Sequence, residues 1–80
     1  MITGAQIRAA RTALRWTAEE LALNSGVGAR TIKRIEKKDG LPDSTISTMS
    51  KLKLSLEAAG IEFVGTPDIG PGIRLYHRKD

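Results

Sequence analysis

Apolar positions recur with helical spacing up to about residue 60 and with strand spacing beyond it. Thr3, Ile7, Ala10 and Leu14 stand four, three and four apart, which at about 100° per residue puts them on one narrow stripe. This predicts an amphipathic helix from about Gly4 to Arg15. Thr17 offers a side-chain oxygen to the free amides of a second helix, with Glu19 and Glu20 in its positive first turn. Ala18, Leu21, Ala22 and Ser25 form the inner face of that helix, and Gly26 ends it by taking the left-handed cap conformation cheaply. A third run from about Gly28 to Lys37 sets Ile32, Ile35 and Glu36 on one side and Arg30, Arg34 and Lys37 on the other. The segment from Lys38 to Asp43 is a loop by its glycine and proline, and Asp43 or Ser44 is the expected cap of a fourth helix. Ile46, Met49, Leu52, Leu56 and Ala59 make the stripe of that helix, which ends at Gly60. The period then changes from 3.6 to 2, so that Ile61–Val64 and Ile73–Tyr76 read as short strands joined by residues 65–72.

Helices two and three are separated only by Ser25-Gly26-Val27-Gly28, so they must cross steeply and touch near the turn, where the small Ala22 permits close approach. That is the helix-turn-helix arrangement, in which the second helix of the pair lies in a DNA major groove. The run from Thr17 to Glu36 resembles the Cro/cI-type (XRE) family of phage and bacterial regulators, with Leu21, Ala22, Gly26, Val27, Ile32, Ile35, Glu36 and also Arg11 matching its pattern. The resemblance covers roughly residues 4–59, and the C-terminal segment looks like the tail of small bacterial members. It departs at Ala18, where the family usually has a Gln that contacts DNA, and at Gly28, where Ser is preferred as the cap.

The outward residues of the third helix suit a groove. Arg bonds two acceptors on one guanine edge, and Arg30 and Arg34, four apart, present two such forks; the bland alternative is phosphate contact or plain solvation. Ala29 and Thr31 flank them as base-facing candidates, Thr31 either meeting a thymine methyl or packing sideways. Lys33, Lys37 and Lys38 are assigned to phosphates, with the free amides at Thr17 and Ala18 as a further phosphate site. The resemblance implies that Arg11 and Glu36 form a structural ion pair beneath the DNA-facing surface. Arg8 is expected as an ordinary surface cation. Trp16, between two helices, is expected to pack at their junction rather than to stack on a base.

Charge sharpens this picture. Eight basic residues face three acids between Arg8 and Lys38, whereas the rest of the 80-residue chain is nearly balanced, so the net charge of +4 arises in the first half. One face meeting a polyanion produces such asymmetry, and so does a solvated Lys-rich surface. The absence of cysteine removes disulfides, thiolate metal sites and cysteine nucleophiles and suits the cytoplasm. No membrane span or secretory signal is read; the acid-free segment up to Arg15 has a transit-peptide composition but also carries the first helical stripe. His77, the sole histidine, has neither Cys nor a second His near it, so no metal and no catalytic residues are assigned, and an exposed position is expected. The glycines at 65, 70 and 72 precede a strand and lack a following Lys-Ser/Thr, which makes them turn residues rather than a phosphate loop.

The expected fold is therefore mainly α: a four-helix, lambda-repressor-like helix-turn-helix domain over residues 1–60 with a C-terminal β-hairpin extension over residues 61–80. The expected function is sequence-specific binding of a double-stranded DNA operator by a homodimeric regulator, with no cofactor, no enzymatic activity and no small-molecule ligand domain. The rival is an antitoxin-like or adaptor protein-interaction module, favoured by Ala18 and by the outward Leu23 and Leu54.

Overall fold

A computed structural model describes residues 1–76 of the chain. Four helices, α1 (Gly4–Ala13), α2 (Ala18–Ser25), α3 (Ala29–Glu36) and α4 (Ile46–Ala58), are followed by strands β1 (Ile61–Val64) and β2 (Gly72–Leu75). His77 lies outside the described residues.

Local chemistry sets most element ends. At the start of α1, Thr3 and Gln6 form a capping box: the Gln6 amide donates to Thr3 Oγ1 at 3.0 Å, and Gln6 Oε1 accepts from the Thr3 amide at 2.8 Å. Thr17 and Glu20 repeat the device at α2. α1 ends two residues earlier than the sequence suggests. Arg15 takes a left-handed conformation (φ 59°) while the Arg15 and Trp16 amides donate back to the Thr12 and Arg11 carbonyls. This is a Schellman closure with Arg in the place where glycine is the usual occupant.

The fourth helix corrects two expectations. Its cap is Thr45, whose Oγ1 accepts from the Thr48 amide at 3.1 Å, rather than Asp43 or Ser44. Ile46 does not belong to the inner stripe: it is 86% exposed, because it lies about 100° around the helix from the buried Leu52–Leu56 line. Leu52 and Leu56 are fully buried, with Met49 packed beside them, and Leu54 on the opposite face is 65% exposed.

The core is formed by Ile7 and Ala10 of α1, Leu21 of α2, Ile32 and Ile35 of α3, Leu52 and Leu56 of α4, and Ile2, Val27 and Ile61 around them. The antiparallel hairpin joins it with one face. Ile61 pairs with Leu75 and Phe63 with Ile73, so all four side chains point to the same side and close the core against α1 and α4. On the other side Glu62 faces Arg74 at 3.0 Å and accepts from the Tyr76 hydroxyl. The strand after the loop begins one residue earlier than expected, at Gly72, and Tyr76 instead donates its amide to the Gly60 carbonyl at 2.8 Å.

Two long-range contacts of α1 hold this arrangement. The buried Gln6 side chain, beyond its capping role, donates to the Val64 and Gly72 carbonyls at 3.2 and 2.9 Å and so ties the hairpin to the first helix. At the same end, the amides of Gly4 and Ala5 donate to the Gly40 and Asp39 carbonyls beyond the C-terminal end of α3. The contact is so close that a Cβ on Gly4 would fall 2.0 Å from the Lys38 oxygen and 2.3 Å from that of Ile35. Free helix amides thus meet the free carbonyls that follow another helix, an arrangement both partners' dipoles favour.

Gly4→Ala is therefore expected to lower stability by about 1 to 3 kcal/mol or more, as overpacking against rigid backbone does, whereas Gly40→Ala, whose added Cβ meets open space, is near neutral. Chemical denaturation of the two variants checks this, and equal midpoints would mean that α1 can back away from α3 without cost.

Candidate nucleic-acid interface

The helix pair α2–α3 is set by its turn. Gly26 occupies the left-handed region at φ 78° and donates its amide to the Ala22 carbonyl, and the Val27 amide is taken by Ser25 Oγ at 3.1 Å. Val27 is buried, and Gly28 starts α3 without a side-chain cap. The two helices consequently change direction within three residues and pack against each other as expected of a helix-turn-helix.

α3 is sharply two-faced. Ile32, Ile35 and Glu36 are buried, and Arg30, Lys33, Arg34 and Lys37 are exposed on the opposite arc. Ala29 and Thr31 sit half-buried at the two margins between these faces.

Glu36 is buried because Arg11 meets it. Arg11 Nε and one terminal nitrogen donate to the two Glu36 carboxylate oxygens at 2.8 and 2.9 Å, and the remaining nitrogen donates to the Trp16 carbonyl at 2.8 Å. The fork is nearly filled, with side-chain exposure of 22% for Arg11 and 9% for Glu36. The Glu36 carboxylate raises the Arg11 pKa further above its ordinary value, more than burial lowers it. Trp16 itself is half-buried against the core at the α1–α2 junction.

The other cations differ in what holds them. The side chains of Arg30 and Lys37 make no hydrogen bond or ion pair among the described residues. Arg34 donates one terminal nitrogen to the Asp43 carbonyl at 2.9 Å, which leaves only part of its fork open. Lys38 lies 3.8 Å from the Asp43 carboxylate. Lys33 pairs with Glu19 of α2 at 3.0 Å, across the helix-turn-helix.

The first turn of α2 also differs from expectation. The Thr17 amide is not free, because Glu20 Oε1 accepts from it at 2.9 Å in the capping box. Ala18 is buried by its side chain, and its amide has no partner among the hydrogen bonds described. Arg8, read as an ordinary surface cation, donates to both the Glu36 carbonyl and the Asp39 carboxylate and so closes the C-terminal end of α3 from outside. Nothing in the sequence marks the Arg8 or Glu19 contacts, since each joins one helix to another segment and spacing along a single helix does not record how elements are placed against each other. Only the i, i+3 spacing of Arg8 and Arg11 hints that both reach the same neighbour.

A family model described as helix-turn-helix matches residues 7–52, more than half of the chain and the whole of α2 and α3. The chain belongs to the Cro/cI-type (XRE) helix-turn-helix family. It is in general terms a DNA-binding helix-turn-helix regulator, of a family that is not normally enzymatic. A comparison with curated proteins gave no match. No helix among the described residues is long and apolar enough to cross a membrane.

Removing Arg11 strands Glu36 in a site with little water, and Arg11→Ala is expected to cost about 2 to 4 kcal/mol, toward the lower end of buried-pair losses because the pair is only partly enclosed. The proper reference is Arg30→Ala, an exposed change without a lost contact, since Arg8 is itself engaged. Matching thermal melts for the two variants would remove Arg11–Glu36 from the account of stability.

Proposed function

We propose that α3 lies in the major groove of an operator and reads it with Arg30 and Arg34, while Lys33, Lys37, Lys38 and the Ala18 amide in the first turn of α2 meet flanking phosphates. The observation that carries this is the division of α3: one arc is fixed into the core by Ile32, Ile35 and Glu36, so the opposite arc must point outward, and that arc holds four cations. Arg30 has its whole fork available for the O6 and N7 acceptors of guanine. Arg34 must release Asp43 or use its remaining nitrogens, which makes it the second reader rather than the first. Ala29 and Thr31, at the margins of the arc, complete the base-facing surface.

Selection of a preferred site from random DNA comes first. Arg30→Ala then costs about 1 to 3 kcal/mol on that site and relaxes its preference, whereas Lys37→Ala weakens all sequences alike and flattens the dependence on salt by about one unit of slope. A preferred site bound equally by wild type, Arg30→Ala and Arg34→Ala overturns the groove assignment.

A two-fold operator suits a homodimer, and residues 44–80 supply the surfaces for one. Among the described residues neither outer edge of the two-stranded hairpin has a strand partner, and Leu54 projects from α4. The hairpin is the stronger contributor because backbone pairing adds to side-chain contact. Cutting the chain at Gly60 is no test, because Ile61 is a core residue and Gln6 is bonded to the hairpin. Light scattering at high micromolar concentration is expected to give a dimer for the intact chain and for Leu54→Lys. A monomeric intact chain overturns the dimer, and a monomeric Leu54→Lys moves the interface to α4.

The exposed Leu23 on α2, 86% accessible, and Leu54 favour a second reading as a protein-interaction module. Its signature is the absence of binding to any duplex even at low salt.

A further inference from the structure

The face of α3 that is free to meet DNA is already touched by an anion of the chain itself. Glu19 Oε2 lies 3.0 Å from Lys33 Nζ, and both side chains are mainly exposed. The carboxylate is held below the ordinary carboxylate range first by that ammonium and then by the backbone amide of Glu19 in the first turn of α2. It therefore stays ionised at neutral pH. A helix-end amide together with a lysine on the adjacent helix is the donor pair that a backbone phosphate of DNA takes. The acids of this turn divide its amides between them: Glu20 takes that of Thr17, and Glu19 faces its own. Among the described residues, Glu19 is the one carboxylate within hydrogen-bond distance of an α3 cation. Arg30, the first base reader, carries no such partner.

We propose that Glu19 is an intramolecular stand-in for a DNA phosphate, holding Lys33 and the first turn of α2 in the free protein and having to leave them when duplex DNA binds. This rests on the DNA-binding reading above and adds a residue that sets the affinity for any duplex. An exposed ion pair is weak, so its exchange is easy. The phosphate, however, gains at Lys33 only what the carboxylate gives up, and the displaced carboxylate remains beside a polyanion. The phosphate contact at Lys33 is thus nearly cancelled on every sequence alike. Base contacts by Arg30 are not reduced, so Glu19 lowers the affinity for every duplex by the same factor and leaves the ratio of specific to non-specific affinity unchanged.

The test is binding to a labelled random-sequence duplex, followed by fluorescence anisotropy at several salt concentrations. The proteins are wild type, Glu19→Gln, Lys33→Ala, the double variant, and Glu20→Gln as a neighbour with the same change of charge. Glu19→Gln is expected to bind about threefold to tenfold tighter than wild type, with a salt dependence steeper by about one unit of slope. The gain shrinks in the Lys33→Ala background, and Glu20→Gln gives less. Thermal melts of Glu19→Gln and wild type coincide, because the pair is exposed. An unchanged affinity for Glu19→Gln overturns the proposal, as does a gain of the same size in the Lys33→Ala background or with Glu20→Gln. Absence of binding by every protein at the lowest salt instead overturns the DNA-binding reading on which it stands.

Discussion

The guanidinium of Arg11 is the contact on which the rest of the domain turns. It spends one planar fork on the Glu36 carboxylate and its remaining nitrogen on the Trp16 carbonyl. One side chain of α1 thereby fixes the last turn of α3 and the link into α2 together. Such a group is stable in a partly dry site only because nearly every donor and acceptor is satisfied. The geometry is then closed from both sides. Arg8 binds the carbonyl of the same Glu36, and the Gly4 amide meets the chain just beyond α3 at Gly40.

The outward arc of α3 follows from that anchoring. Because Ile32, Ile35 and Glu36 cannot leave the interior, rotation of the helix is fixed, and Arg30, Lys33, Arg34 and Lys37 are presented together. The acids near this arc divide by task. Glu36 is structural, Glu20 closes a helix end, and Glu19 and Asp43 lie against the cations themselves. Net positive charge in this half of the chain thus overstates the cations available to a partner, and Arg15, Arg30 and Lys37 are those with no competitor among the described residues.

Periodicity made the elements legible. The stripes of α1, α2 and α3 and the strand at Ile61 come from residues that bury one face, and burial is what spacing records. The Arg11–Glu36 pair was legible only through the resemblance, since nothing in spacing says that two distant charges meet. The misses are of another kind. The Schellman end of α1 uses Arg15 where sequence reasoning looks for glycine, and Thr45 caps α4 because the chain turns one residue later than Asp43 or Ser44 allows. Ile46 falls on the helical period of the eye but not of the angle. Gln6 carries both a cap and the hairpin, a double role that only the tertiary fold creates. Thr17 is no free donor, because Glu20, three residues on, completes a capping box whose Thr-x-x-Glu spacing stands in the sequence itself.

Amide chemical-shift mapping of the isotope-labelled chain, titrated with its selected duplex, shows where DNA touches the protein. The largest shifts are expected at Ala18, Glu19 and residues 29–34, with smaller ones at Lys37 and Lys38, while the hairpin and the Leu54 face of α4 move little. Shifts centred on β1, β2 or α4, with residues 29–34 unmoved, would contradict this placement.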